Sequence, residues 1–170
     1  MDARRKAGTA VAALTLVAAA AQVAGVPSAG AAEAPPSACP WTTRFLINPG
    51  VTISPQDFTF SQMGRIGPCS GGAGRSGKFT VAKGTGHGSC FSAQATAPFT
   101  VEWDGGGTSS GVAEAVTATA LAYVTGKIDK GLYAGTPFTS LVVLNASGPL
   151  NCGTAGVTAA ETYGEVVFGS

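Results

Sequence analysis

Apolar and polar residues alternate one by one along most of this chain beyond residue 40. Residues 99–104 read FTVEWD, and in residues 41–47, WTTRFLI, the positions Trp41, Phe45 and Ile47 fall on one side. A period of two is the side-chain period of a β strand with one buried face. This alternation therefore predicts a chain built from strands, each with one side in a core.

Glycine, proline and asparagine divide the alternating segments. We predict that the first strand stops at the turn sequence NPG, residues 48–50, and that DGGG at 104–107 connects a hairpin. Residues 112–124 fit either a helix or a strand, and we favour a strand because no N-cap followed by an acidic first turn is present. Residues 138–144 are apolar on both faces and predict a central strand, and residues 157–168 predict a long closing strand.

Together these segments predict an all-β fold, an antiparallel β-sandwich or β-barrel of about 7–9 strands. The sequence leaves the choice between sandwich and barrel open. An open barrel mouth lined with Trp and Tyr would indicate a ligand, whereas a filled core would indicate binding through the surface.

The first 31 residues have the pattern of an export signal. Three cations at residues 4–6 precede an alanine-rich apolar run at 10–21, and the small residues AGA at 29–31 resemble a cleavage site. The run is too short to span a bilayer, which needs about 20 apolar residues. We predict cleavage after Ala31, a flexible lead-in at 32–40, and a single β domain at 41–170.

Removal of this signal changes the charge of the working protein. Residues 32–170 carry seven Lys or Arg against eight Asp or Glu, a net charge of −1, whereas the full sequence carries +1. The few cations are scattered and form no basic face of the kind that phosphate backbones require. Nucleic acid is therefore not an expected partner.

Four cysteines lie beyond the predicted cleavage site, at Cys39, Cys69, Cys90 and Cys152. An even number of cysteines in an exported chain predicts two disulfides. Three pairings are possible, and we favour Cys39 with Cys69 and Cys90 with Cys152. A metal site is not expected, because no two cysteines are close in sequence and the chain has one histidine.

Few side chains are candidates for catalysis. His87 is the only histidine, and no serine elbow of the G-x-S-x-G type occurs. Glu102 and Asp104 share a strand face and would be the minimal pair for glycoside hydrolysis, but solvation of a polar face explains them more simply. We therefore predict no catalytic, cofactor-binding or metal-binding residue.

The aromatic residues are candidates for a sugar-stacking platform. Both tryptophans, however, fall on the apolar faces of their strands, so we expect most of this set to fill the core. The set comprises Trp41, Trp103, Tyr123, Tyr133 and Tyr163.

Several short segments are similar to those of small secreted Gly- and Thr-rich β proteins from high-GC Gram-positive bacteria. The resemblance covers about residues 57–168 and is carried by GSC at 88–90, VEWDGGGTS at 101–109, GLYAG at 131–135, CG at 152–153 and GVT at 156–158. That group of proteins is uncharacterised. The resemblance implies export and a β domain, and it transfers no catalytic residue or cofactor.

These observations predict a secreted, non-catalytic β domain that binds a ligand or is associated with the cell envelope. The expected partner is an extracellular protein, a polysaccharide or a small ligand, and the expected state is a monomer without a membrane span. One alternative is an extracellular protease inhibitor, with residues 67–70, GPCS, as a disulfide-braced loop. The other is a small secreted hydrolase that uses His87, Glu102 or Asp104.

Overall fold

The computed structural model describes residues 34–72, 74–146 and 149–169, so the predicted signal at 1–31 lies outside the described residues. No helix in this part of the chain is long and apolar enough to cross a bilayer. The described elements are eight strands and one short 3-10 helix. They are β1 (Ala38–Val51), β2 (Gln56–Ile66), β3 (Gly77–Gly88), β4 (Ser92–Trp103), β5 (Thr108–Ala118), β6 (Leu121–Gly131), β7 (Pro137–Ala146), the 3-10 helix (Pro149–Gly153) and β8 (Val157–Phe168).

The eight strands form one closed antiparallel barrel in which each strand pairs with its neighbours in the chain. The last strand closes the barrel on the first, since β8 pairs with β1 from Ala38 opposite Val167 to Leu46 opposite Ala159. The predicted all-β class and the strand number are confirmed. Of the two architectures left open by the sequence, the barrel is the one adopted.

Residues 112–124 are extended, as favoured, but they do not form one continuous strand. They contain the end of β5, a tight turn at Thr119 and Ala120, and the start of β6, with Ala118 opposite Leu121. Thr119 has a φ of 54°. Side chains other than Gly, Asn and Asp rarely adopt this left-handed conformation, so the turn carries none of the usual sequence signals.

The turn predicted at residues 48–50 is wrong. β1 continues to Val51, and its register with β8 shifts between Leu46 and Val51. Pro49 has no N–H for the ladder and is accommodated where the regular pairing is interrupted. At the other end, β1 begins at Ala38, so the last three residues of the expected lead-in at 32–40 belong to the strand.

The second apolar face of residues 138–144 is not buried. Leu141 and Val143 of β7 point outward and keep 60% and 51% of their surface exposed. In the closed barrel the inner face of β7 packs on the interior, and its outer side chains lie at the surface of the described chain. The outer face of β5–β8 exposes several large apolar side chains, namely Val112, Val116, Leu121, Tyr123, Leu141, Val143, Tyr163 and Val167.

Aromatic side chains fill one half of the barrel interior. We call it the closed half; it lies at the end where β1 begins and β8 ends. The Phe99 ring stacks on Phe79 at 5.9 Å and meets Phe138 edge to face at 5.4 Å between ring centroids. Nearby, the Trp103 indole packs on Tyr133, and its Nε1 donates a hydrogen bond to Ser109 Oγ at 2.8 Å. The void left among these side chains is about 30 Å³, close to the volume of one water molecule.

Two disulfides hold opposite ends of the barrel. Cys39–Cys69 joins the start of β1 to the β2–β3 loop at the closed half, and Cys90–Cys152 joins the β3–β4 turn to the β7–β8 connection at the other end. The favoured pairing is therefore the one observed. Disulfides of this kind are typical of proteins that fold in an oxidising, extracellular environment.

Replacement of Phe99 by alanine is expected to lower the free energy of unfolding by about 3–5 kcal/mol, because the ring is 4% exposed and contacts two other aromatic rings. Guanidinium chloride unfolding measures this change. Phe91→Ala is the matched control, since Phe91 is 60% exposed, and it is expected to cost less than about 1 kcal/mol. Equal losses in the two variants would contradict the assignment of the packed core to the closed half.

Candidate functional site

The half of the barrel opposite the closed half contains a cavity of about 530 Å³. We call it the open half; it lies at the end where β1 ends and β2 begins. Protein interiors contain few voids larger than a water molecule, so a cavity of this size is exceptional for packing alone. It lies within the range of about 300–1,000 Å³ that is typical of small-molecule sites.

Alanine residues form one wall of the cavity. In the open half, the inward residues of β4 are Ala93, Ala95 and Ala97. On the neighbouring strand β5, Ala115 lies opposite Ala95 and Ala113 lies opposite Ala97. We call these five residues the alanine wall. A methyl group reaches only a short distance into the barrel, so the wall leaves the interior space in front of it unfilled.

Phenylalanine rings from β1 and β2 form a second wall, the aromatic wall, made of Phe45, Phe58 and Phe60. Glycines on β3 make space for two of these rings. A Cβ atom at Gly84 would lie 2.3 Å from Phe60 Cζ, and one at Gly86 would lie 2.3 Å from Phe58 Cζ. The rings therefore occupy the side-chain positions of the neighbouring strand, and this arrangement requires glycine there.

The floor of the cavity is where the two halves of the barrel meet. Trp41 and Phe79 line both the cavity and the small void of the closed half, and their rings pack edge to face at 5.1 Å between centroids. They separate the filled interior from the open one.

A small polar cluster lies just above this floor, one inward position further along β1. Gln62 Nε2 donates a hydrogen bond to Thr43 Oγ1, which lies 2.6 Å from Thr162 Oγ1. All three side chains are buried, and Gln62 and Thr162 line the cavity. The cavity is thus apolar with one polar region at its inner end.

The Cys90–Cys152 disulfide crosses the mouth of the cavity. In the ring of eight strands the β3–β4 turn and the β7–β8 connection lie on opposite sides of the barrel, yet their cysteine Cα atoms are 6.2 Å apart. Both cysteines line the cavity. We call this connection the disulfide strap.

The β1–β2 turn closes the mouth on one side of the disulfide strap. Cys90 N donates to Thr52 O at 2.9 Å, and Ile53 N donates to Cys152 O at 3.2 Å. On the other side, the described residues at the rim are the exposed Phe91, Thr119, Ala120 and Asn145 and the half-buried Ala146. We therefore place the entrance between the β5–β6 turn and the end of β7.

His87 lies on the outer face of β3, outside the cavity. Its Nδ1 is 2.7 Å from Asp57 Oδ1 on β2, and both side chains are largely exposed. The nearest serine in sequence, Ser89, is buried and lines the cavity inside the barrel. Ser89 and His87 therefore lie on opposite sides of the barrel wall.

Glu102 and Asp104 lie near the opposite end of the barrel from His87. Gln94 is the β4 residue opposite His87, and eight residues of strand, about 26 Å at 3.3 Å per residue, separate it from Glu102. Asp104 forms an exposed ion pair with Arg65. His87 is thus far from the Glu102 and Asp104 pair, and both carboxylates are exposed to solvent. In the described part of the chain, no three His, Cys, Asp or Glu residues are grouped as metal ligands.

The loop at residues 67–70, which the inhibitor alternative uses, is hydrogen-bonded to the barrel. Gly67 N donates to Pro40 O, Cys69 N to Arg75 O and Ser70 N to Ala38 O. These backbone donors are consequently occupied, whereas pairing with the backbone of a protease would require some of them to be free.

Three of the five Trp and Tyr residues considered as a sugar-stacking platform lie in the core, as expected, and two do not. Trp41, Trp103 and Tyr133 are buried, while Tyr123 and Tyr163 lie on the outer face of the barrel. Tyr163 donates to Glu161 Oε2 at 2.7 Å, and this hydrogen bond and the negative charge of Glu161 raise the pKa of the phenol. The aromatic residues that line the cavity are Phe and one Trp, and none of the described lining residues is Tyr.

Sequence reasoning missed the polar cluster and the cavity. Gln62 follows Phe58 and Phe60 at the same period of two, so the alternation already places an amide on the inner face. Ala93, Ala95 and Ala97 also alternate in the sequence, but the space left by their small side chains depends on what lies across the barrel.

No family model, curated protein or solved structure matches this chain.

Ala95→Leu is expected to leave the free energy of unfolding unchanged or to raise it by about 1 kcal/mol, because the longer side chain enters existing space and buries apolar surface. Val101→Phe in the closed half is the comparison, and overpacking there is expected to cost about 1–3 kcal/mol. Chemical denaturation measures both. A loss for Ala95→Leu as large as that for Val101→Phe would show that the space beside the alanine wall is filled.

Proposed function

We propose that this protein is an exported, non-catalytic barrel that binds one small apolar molecule inside its open half. The observation that carries the proposal is the apolar cavity of about 530 Å³ between the alanine wall and the aromatic wall. Closed barrels of eight strands either fill their interior with side chains or hold one small ligand. In this barrel, side chains fill the closed half, and the cavity of the open half is large enough for one small ligand.

The composition of the lining supports an apolar ligand. Most lining residues are Phe, Val, Ala or Leu, and the buried polar side chains among them are Gln62 and Thr162 near the floor and Ser89 near the mouth. Burial of an apolar molecule here is favourable by about 25 cal/mol for each Å² removed from water. The rigid hydrogen-bonded wall is present before binding, so little ordering of the chain opposes association.

The disulfides support the proposed export. Cys39–Cys69 and Cys90–Cys152 need an oxidising compartment to form and persist, and the pattern of residues 1–31 predicts delivery to one. A monomer that acts in the extracellular space or at the cell envelope remains our prediction.

A neutral fluorescent probe, N-phenyl-1-naphthylamine, tests the proposed function. We expect it to bind with one-to-one stoichiometry, a blue-shifted emission and a Kd on the order of micromolar. The double variant Ala95→Leu with Ala115→Leu is expected to weaken binding at least about tenfold, because both side chains enter the cavity.

The exposed apolar face of β5–β8 is the competing site for such a probe. The double variant Leu141→Ser with Val143→Ser removes apolar surface outside the barrel and is expected to leave probe affinity unchanged. If this outer variant abolished binding and the alanine-wall variant did not, the proposed function would be wrong.

The disulfide strap is expected to slow exchange of a bound molecule. In the double variant Cys90→Ser with Cys152→Ser, the two loops that meet over the mouth are no longer joined, so the probe should dissociate several-fold faster. Stopped-flow displacement measures the dissociation rate.

Cys39→Ser with Cys69→Ser is the matched control, because it removes the disulfide at the closed half. We expect the unfolding free energy to fall in both double variants, by about 3 kcal/mol or more in the chain-entropy model. Only the mouth variant is expected to change the dissociation rate. An equal change in both would show that general loosening, and not the disulfide strap, controls exchange.

A further inference from the structure

The side-chain amide of Gln62 is buried in the barrel and is bonded at one end only. Its Nε2 donates to Thr43 Oγ1, whereas no donor in the described part of the chain bonds to its Oε1. The residues opposite Gln62 on the neighbouring strands are Phe45 on β1 and Val81 on β3, whose side chains have no donor. Buried amide oxygens usually have a partner, so Gln62 Oε1 is an exception.

The free oxygen of Gln62 is accessible from the cavity. Among the described residues that are not exposed, Trp41 Nε1 is the one side-chain polar atom that has neither a partner nor accessible surface. Gln62 Oε1 also has no partner, so it retains some accessible surface. Gln62 points into the barrel, is 5% exposed, and lines the cavity but not the small void of the closed half. The accessible surface of Oε1 therefore faces the cavity.

An acceptor without a partner affects which molecules bind well in an apolar cavity. A ligand that fills the inner end of the cavity excludes water from this oxygen. A pure hydrocarbon would leave the oxygen buried and unpaired, which is unfavourable, whereas a ligand with a hydrogen-bond donor would pair with it. The oxygen therefore favours ligands that carry a donor.

The charge of the lining restricts the kind of donor. Among the described lining residues none is Lys, Arg or His, and the only ionisable carboxyl belongs to the exposed Glu114. An ammonium group beside Gln62 would be buried without a counter-charge, and so would a carboxylate or a phosphate, which is strongly unfavourable. A hydroxyl group is a small, uncharged donor and has no such cost.

We propose that the ligand is an uncharged, mainly hydrocarbon alcohol or phenol whose hydroxyl group donates a hydrogen bond to Gln62 Oε1. This inference rests on the proposed function, since it names the class of molecule that the cavity binds. The hydroxyl group would lie at the inner end of the cavity, and the hydrocarbon part would contact the alanine and aromatic walls.

Four probes that share a 4-tert-butylphenyl group test the inference. 4-tert-Butylphenol has a hydroxyl donor and is uncharged at neutral pH, whereas 4-tert-butylbenzoate is an anion. 4-tert-Butylanisole has an oxygen that only accepts, and 4-tert-butyltoluene has no polar atom. Their affinities are measured by displacement of N-phenyl-1-naphthylamine from the wild-type protein and from two variants, Gln62→Met and Gln94→Met.

Gln62→Met keeps the length of the side chain and removes the amide. It is expected to weaken binding of 4-tert-butylphenol about 3- to 10-fold, the range for loss of one hydrogen bond. Binding of 4-tert-butyltoluene is expected to stay the same or to become tighter, because it no longer covers an unpaired oxygen. Gln94→Met is the matched control, since Gln94 is exposed on the outer face of β4, and it is expected to change none of the affinities.

Equal effects of Gln62→Met on the phenol and the toluene would overturn the inference, since Gln62 would then contribute shape alone. A loss for the anisole as large as that for the phenol would show that the amide donates to the ligand, which would overturn the hydroxyl donor. Tight binding of 4-tert-butylbenzoate would overturn the requirement for an uncharged ligand. In each case the neutral probes still bind, so the proposed function stands. Failure of every neutral probe to bind would instead reject the proposed function itself.

A second comparison needs no variant. The dissociation constants of the three neutral probes for the wild type are compared with their hexane–water partition coefficients, because hexane offers no acceptor to a hydroxyl group. Relative to the toluene and the anisole, the phenol is expected to bind at least about tenfold better than its partition coefficient predicts. Affinities that simply follow partitioning would contradict the inference even if Gln62→Met did not fold.

Discussion

The pairing of β8 with β1 is the interaction on which the rest of the structure depends. Each residue from Ala38 to Leu46 has a partner on β8, and this pairing converts a row of hairpins into a closed ring. A closed ring has no edge strand with unpaired backbone groups, and it fixes which residues face inward on all eight strands. The interior, filled or open, exists because these two strands meet.

One alternating pattern produces two different interiors in the same barrel. In the closed half the inward positions carry large rings such as Phe99 on β4 and Phe138 on β7, which touch one another across the interior. In the open half, alanines occupy inward positions of β4 and β5. The rings of Phe58 and Phe60 on β2 lie over the glycines of β3. The size of the inward side chains at each level therefore determines whether the barrel has a core or a cavity.

The strand content could be predicted from the sequence, because alternation is a local signal. The four cysteines predicted two disulfides but left three pairings possible, and the favoured pairing is the one observed. The turn at Thr119 and Ala120 could not, since neither residue is typical of a left-handed turn. The cavity could not be predicted either. Its volume depends on the distance from the alanines of β4 and β5 to the strands opposite them, β8 and β1, and that distance follows only from the number of strands and their closure.

The side chains of the alanine wall shape the cavity but do not take part in the backbone pairing that holds the barrel together. Ala95 and Ala115 lie opposite each other and contribute only methyl groups to the interior, whereas the pairing of their strands is a backbone ladder. A longer side chain at these positions takes up part of the cavity and leaves the ladder intact. In the proposed function, the barrel is a fixed frame, and the five residues of the alanine wall determine how much space a ligand has.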